Sequence, residues 1–248
     1  MKDERKESVK WSRYYLWGFL ALICMVVALF SCGQIWKIYN ERQAAIEEYD
    51  TLREKYKPDA EQQEEQGASL TEVNPDYVGW LQMPGIHEEY PIVCGEDNDK
   101  YLHTTFEGQE NAAGAIFMDY RNIDGFSSSH TIIYGHRMNN GTMFGKLHYY
   151  LEEQYREQNS NIIIILPNGT KKSYSIIDAR ITDAWDYAYQ VDFAGDDALR
   201  AFFREIGVPE DCENLLTLST CASGRDRNKR ILVHAVLLKT TEISEEDI

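Results

Sequence analysis

The chain has 248 residues, 43% of them hydrophobic and 27% charged, with a formal net charge of −16. That length suits one medium domain with appendages and is enough to bury a core, while the acidic balance argues against a nucleic-acid partner, which needs a basic face. Five cysteines (Cys24, Cys32, Cys94, Cys212 and Cys221) form no C-x-x-C pair and no zinc-ligand spacing, so neither a metal site nor a disulfide framework is indicated.

The N-terminus reads as a membrane anchor. No charged residue occurs from Tyr14 to Trp36, and about 23 residues at ~1.5 Å rise span roughly 35 Å, enough for a hydrocarbon core of ~30 Å. Tyr14, Tyr15 and Trp17 at one end and Trp36 at the other suit interfacial aromatic belts. Lys2, Arg5, Lys6, Lys10 and Arg13 precede the span, so the positive-inside rule puts residues 1–13 in the cytoplasm and everything after Lys37 outside. Two competing readings are a cleaved secretory signal and a lipoprotein, since Leu29-Phe30-Ser31-Cys32 loosely resembles a lipoprotein cleavage box, with Phe30 out of pattern.

Residues 37–57 are rich in helix formers, and Ile38, Ala45, Tyr49, Leu52 and Tyr56 recur near helical spacing. Pro58 stops this helix, and the Glu- and Gln-rich run that follows it, up to residue 68, is a solvated linker. Whether the helix docks on the domain or only spaces it from the membrane is open at this stage.

From Ser69 onward short apolar runs are punctuated by Gly, Pro, Asn and Asp. Tyr77–Met83, Tyr90–Cys94, Ala115–Asp119, Thr131–Tyr134, Asn161–Leu166, Lys172–Ala184, Leu215–Ser219 and Arg230–Lys239 read as strands, and eight short strands in one domain favour a closed barrel. Two helical patches interrupt them, one over Met143–Gln158 and one over Gly195–Ile206, the second with Leu199, Phe202, Phe203 and Ile206 on one face.

Cys94, Cys212 and Cys221 remain for the folded part, an odd number that leaves at least one free thiol unless chains are cross-linked; a Cys94–Cys212 bridge is left open. Cys221 ends the apolar run Leu215–Leu218 and precedes a cationic loop, where a thiolate would be favoured and could act as a nucleophile. The competing reading is a small buried core residue. Of six histidines, His136 follows a strand and a glycine, Thr131 to Gly135, which puts its ring at a strand end where functional side chains collect. His130 and His234 lie beside or within strands and read as packed or solvent-facing.

Taken together, "TLSTC" at 217–221, "RILVHAVL" opening at Arg230 and "IIYGHRMNNGTMFGKL" at 132–147 resemble sortases. "NPDYVGWLQMPG" (74–85), "YPIVCGEDNDKYL" (90–102) and "GAIFMDYRN" (114–122) are similar to the class B branch, so the likeness runs from about Asn74 to Lys239. The resemblance implies a mainly β fold, a closed eight-stranded sortase-type barrel with a few helices, preceded by an N-terminal transmembrane helix and a juxtamembrane helix. The parts would be a tail (1–13), a span (14–36), a juxtamembrane helix and linker (37–68) and an extracellular catalytic domain (69–248) of a single-pass protein on a Gram-positive cell membrane.

The same resemblance implies Cys221 as nucleophile, His136 as acid and base, and Arg230 as the cationic stabiliser. Arg230 is preferred to Arg225 and Arg227 because it abuts a strand. Such an enzyme uses no cofactor and no metal. It cuts a C-terminal sorting signal of secreted surface proteins, Asn-Pro-x-Thr or related, after Thr, and passes the product to an amine of peptidoglycan or of a pilin. Tyr187 and Tyr189, with Trp185, are candidates to line a peptide groove, or else pack under the helix that follows; Ser219 and Thr220 either bind the peptide backbone or turn the chain. Two other classes are an L,D-transpeptidase-like wall enzyme, whose usual His-Gly and Ser-x-Gly-Cys patterns are not met, and a non-catalytic membrane-anchored barrel.

Overall fold

The computed structural model describes residues 2–56, 70–222, 226 and 228–241, with side chains from Leu16 onward. The linker read at 59–68, together with Arg225 and Arg227, lies outside the described residues. The chain divides into two compact units, Met1–Ala44 and Ala45–Ile248.

The first unit belongs to one helix, α1, Lys2–Tyr56, which shows no interruption at residues 13 or 36. From Leu16 it is apolar and long enough to cross a membrane. The last turns of α1 belong to the second unit. There Ala45, Tyr49, Leu52 and Tyr56 are buried, so the helix docks rather than merely spacing, as the i, i+3/i+4 recurrence of apolar residues permits.

The second unit is a closed barrel of eight strands in the order β1-β2-β3-β4-β7-β8-β6-β5. The strands are β1 Tyr77–Met83, β2 Glu88–Val93, β3 Ile116–Met118, β4 His130–Tyr134, β5 Asn161–Ile165, β6 Lys171–Asp183, β7 Leu215–Cys221 and β8 Lys229–Thr241. All eight fall where the apolar runs lie in the sequence, with ends shifted by one or two residues. Two pairings are parallel, β2 with β3 and β4 with β7; the rest are antiparallel. Besides a helical turn at 70–73, two helices, α2 Glu153–Gln158 and α3 Asp196–Ile206, decorate the barrel.

The run Met143–Gln158 does not form one helix. Met143 has φ 54°, and a Cβ on Gly145 would meet Met138 O at 2.5 Å, so the chain turns tightly here before a short 3-10 segment (Leu147–Leu151) and α2.

Strand alternation sorts β7 and β8 into two faces. Leu216, Leu218, Ile231 and Val233 enter the barrel core, whereas Leu215 and Leu232 join Phe202, Phe203 and Ile206 of α3 in a second cluster outside the wall. Between the wall and α3 lie two histidines. His130 is fully buried, with Nδ1 2.7 Å from Gln190 O and Nε2 2.7 Å from Thr217 Oγ1, which is also 2.9 Å from His234 Nδ1. A carbonyl only accepts, so His130 Nδ1 carries its hydrogen, and neutral Nε2 accepts from Thr217. The Thr217 oxygen therefore accepts from His234 Nδ1–H. This ordering leaves the His234 Nε2 lone pair without a partner among the described residues.

Burial holds His130 down to about 4 from 6.5, against the opposing pull of the Gln190 carbonyl, and burial also lowers His234. The unfolded chain then takes up a proton near pH 6.5 that folded His130 refuses until about pH 4. Stability is complete above this window and falls as pH drops through it, by on the order of 3 kcal/mol from His130. Denaturant midpoints measured on acidification should fall more steeply for the native chain than for His130→Gln. Equal slopes would show that His130 is not the group responsible.

Candidate active site

The parallel β4/β7 pair brings two strand ends to the same edge. Tyr134 lies opposite Ser219, and the same offset places His136 beside Cys221. Gly135 N–H donates to Ser219 O at 3.2 Å and Thr220 Oγ1 donates to Gly135 O at 2.8 Å, so the alignment persists past the end of β4. Gly135 has no room for a side chain: a Cβ there would meet Ile116 Cδ1 at 2.5 Å and Phe144 Cδ2 at 2.8 Å. On the other side, antiparallel pairing sets Cys221 opposite Arg230. Alternation then directs Tyr134 and His136, Ser219 and Cys221, and Arg230 to the α3 side of the wall.

These residues line one cavity of about 380 Å³, together with Leu102 and Tyr189. His136 is half-buried and its Nε2 lies 2.8 Å from Leu102 O. Because the carbonyl accepts, Nε2 bears the hydrogen and Nδ1 of the neutral ring is left as the acceptor nitrogen. The ring stacks on His103 at 6.4 Å between centroids. Beyond the cysteine, the Arg137 guanidinium donates to Ala222 O, tying the histidine segment to the residue after the thiol.

The substrate-side candidates separate. Tyr189 lines the cavity, its hydroxyl 2.8 Å from Ser219 Oγ and its ring stacked on Tyr134 at 6.3 Å. Tyr187 points elsewhere: it is half-exposed, meets Phe202 of α3 edge-on at 5.4 Å and is not among the cavity residues, and Trp185 is exposed. Ser219 and Thr220 both line the cavity, yet the Thr220 hydroxyl is engaged by Gly135.

Behind this wall sits a network that the sequence reading missed. Asp119 is fully buried and takes both ends of the Arg121 guanidinium, Nε at 2.9 Å and Nη2 at 2.7 Å, as well as the Tyr134 hydroxyl at 2.7 Å. Arg121 Nη2 also donates to Tyr189 O at 3.1 Å. Burial pushes the Asp119 carboxyl up, but the Arg121 side chain, its backbone N–H and Tyr134 outweigh that and hold it below the ordinary range. The only sequence signal was the D-x-R spacing within "GAIFMDYRN".

The sortase domain model matches residues 81–238, more than half of the chain. This chain belongs to the sortase family. It is 29% identical to sortase B of Staphylococcus aureus over 89% of this chain and 95% of that protein. It is 28% identical to sortase B of Listeria monocytogenes over 88% and 95%. Among solved structures, the Staphylococcus aureus sortase B–substrate complex aligns with a TM-score of 0.72 at 30% identity, covering 80% of this chain and 98% of that one. The class B resemblance, the closed barrel and the cysteine transpeptidase assignment stand on these matches. Among the described residues no group of three or more His, Cys, Asp or Glu side chains is placed to hold a metal ion.

Cys94 and Cys212 are free thiols, each half-buried. Burial raises both, Cys212 to about 11. An alkylating reagent at neutral pH should therefore modify Cys221 ahead of Cys94 and Cys212, as followed by peptide mass spectrometry of the folded sortase. Modification of Cys212 first would show that Cys221 is closed to solvent.

Proposed function

We propose that this sortase cleaves a C-terminal sorting signal after Thr, holds the Thr as a thioester on Cys221, and transfers it to an amine of peptidoglycan or a pilin. The observation that carries the reading is the shared cavity: a thiol and a guanidinium that are cross-strand partners, with an imidazole one strand away. The peptide would lie along the wall formed by Tyr189 and Ser219, with the Thr carbonyl carbon presented to sulfur.

In the first half-reaction the Cys221 thiolate forms a C–S bond to the Thr carbonyl carbon. Negative charge develops on the carbonyl oxygen and is met by the Arg230 guanidinium, whose planar fork suits an oxyanion. The site starts as a thiolate–imidazolium pair, the Cys221 proton resting on His136 Nδ1, and as the C–N bond breaks His136 gives that proton to the departing amine. In the second half-reaction an acceptor amine attacks the thioester, His136 takes a proton from it, the C–S bond breaks and the thiolate returns. The Leu102 carbonyl supports this cycle, because a ring pinned by Nε2–H keeps the same nitrogen for both transfers.

The apolar part of α1 would anchor the enzyme as a single span, with the basic residues of 2–13 in the cytoplasm and the barrel outside, where surface proteins and wall amines meet.

Peptides spanning x-Pro-x-Thr-x, incubated with the enzyme with and without an amine acceptor, test the reading. Cleavage after Thr, with acceptor-dependent product, is expected. Cys221→Ala should be inactive, and Arg230→Met should lose about 10²- to 10³-fold in kcat, as for removal of an oxyanion donor. A Cys221→Ala protein that still cleaves ends the proposal. The dependence of kcat/KM on pH should be bell-shaped, one limb needing the acid and the other the base. A rate that stays flat through the neutral and alkaline range would remove His136 from proton transfer.

A further inference from the structure

The segment that carries His136 is held from outside the cavity by two chains of contacts, and both begin on the docked end of α1. In the first, Tyr49, buried on the barrel-facing side of α1, donates its hydroxyl hydrogen to Gly114 O at 2.8 Å. Gly114 has φ 57° and lies so close to the neighbouring strand of chain that a Cβ would come within 2.5 Å of Tyr101 O and 2.9 Å of Leu102 O. The Leu102 carbonyl is the acceptor that pins His136 Nε2.

In the second, the Arg53 guanidinium lies 4.6 Å from the centroid of the Tyr90 ring, and Tyr49 meets the same ring edge-on at 5.5 Å. Tyr90 donates to Glu88 Oε2 at 2.5 Å and accepts the Met143 N–H at 2.7 Å. Glu88 is buried and also engages Lys146 at 2.5 Å and Arg53 at 3.5 Å. Met143 is one of two non-glycine residues with positive φ among the described residues, so its backbone needs support from outside. Met143 pairs with Arg137, and Phe144 N–H donates to His136 O at 3.0 Å. The Tyr90 hydroxyl therefore fastens the turn that leaves from His136 and returns to it.

We propose that Tyr49, Arg53 and Tyr90 are positioning residues for His136, so that the membrane-proximal helix helps to set the orientation of the imidazole. The proposal rests on reading His136 as the acid and base. If these groups only packed, the two hydroxyls would be dispensable; instead each meets a backbone group of the His136 turn or of its supporting chain. A misaligned general acid costs rate rather than substrate affinity.

The test uses the full chain in detergent micelles, with Tyr49→Phe and Tyr90→Phe removing one oxygen each, Arg53→Met removing the cation, and Leu52→Ala removing packing from the same helix face without removing a hydroxyl or a charge from either chain of contacts. Each of the first three should lower kcat by about 10-fold or more, leave KM within about twofold, shift the His136-dependent limb of the pH profile and move the His136 ring resonances in substrate-free NMR spectra. Leu52→Ala should lower Tm while kcat and the resonances stay as in the native chain below that Tm. The proposal is overturned if both Tyr→Phe variants keep native kcat and native His136 resonances, or if Leu52→Ala alters these as much as they do. Failure of the underlying site reading is seen separately, as full activity in His136→Ala.

Discussion

Everything in the catalytic region depends on the parallel hydrogen bonding of β4 to β7. Parallel strands end on the same side of a sheet, so the residues that follow each of them emerge together. In this barrel the alignment is carried one residue beyond Tyr134 and Ser219, where Gly135 donates to Ser219 and accepts from the Thr220 hydroxyl. A slip of one residue would send either Cys221 or His136 to the other face of the wall. The register is protected from such a slip by the apolar core on one face and by the His130–Thr217–His234 chain on the other. The same ladder that stabilises the fold thus sets the distance between thiol and imidazole.

Most of the strands were legible because they fall on short apolar runs bounded by turn residues, whereas β6 is long and largely polar. The Met143 turn was not, since its sequence is rich in helix formers while its left-handed backbone is held by the Tyr90 hydroxyl and followed by Gly145, packed against Met138 O. Cys221, His136 and Arg230 could be named one by one from local context and from the family resemblance. The approach of His136 to the other two could not, because it follows from a strand pairing that joins residues about 85 positions apart in the chain. Tyr187 and Tyr189 show the limit of pattern reading: two residues apart in one tight turn, one meets α3 and the other the cavity. His130 on β4 and His136 two residues past its end share one side of the wall, yet Phe202 of α3 packs on the first and the second stays half-buried.

A polar layer divides the work of the wall. The buried Asp119 carboxylate is satisfied fully by Arg121 and Tyr134, two part-buried residues that line the cavity, and the set extends through Arg121 to the carbonyl of Tyr189. Such a set is rigid, since any member that leaves strands another without a partner at low dielectric. Tyr189 is therefore fixed at its backbone by Arg121 and at its hydroxyl by Ser219, and this side of the cavity is preformed.

The circuit of strands also closes on itself, with Trp80, Leu81 and Gln82 of β1 opposite Ile163–Ile165 of β5. An open sheet would offer its outermost strand to any extended polypeptide nearby, and a processing enzyme meets extended polypeptides constantly. Closure denies them that template. Each described strand of this barrel has a neighbour on both sides, so a passing chain finds no outermost strand on which to add itself.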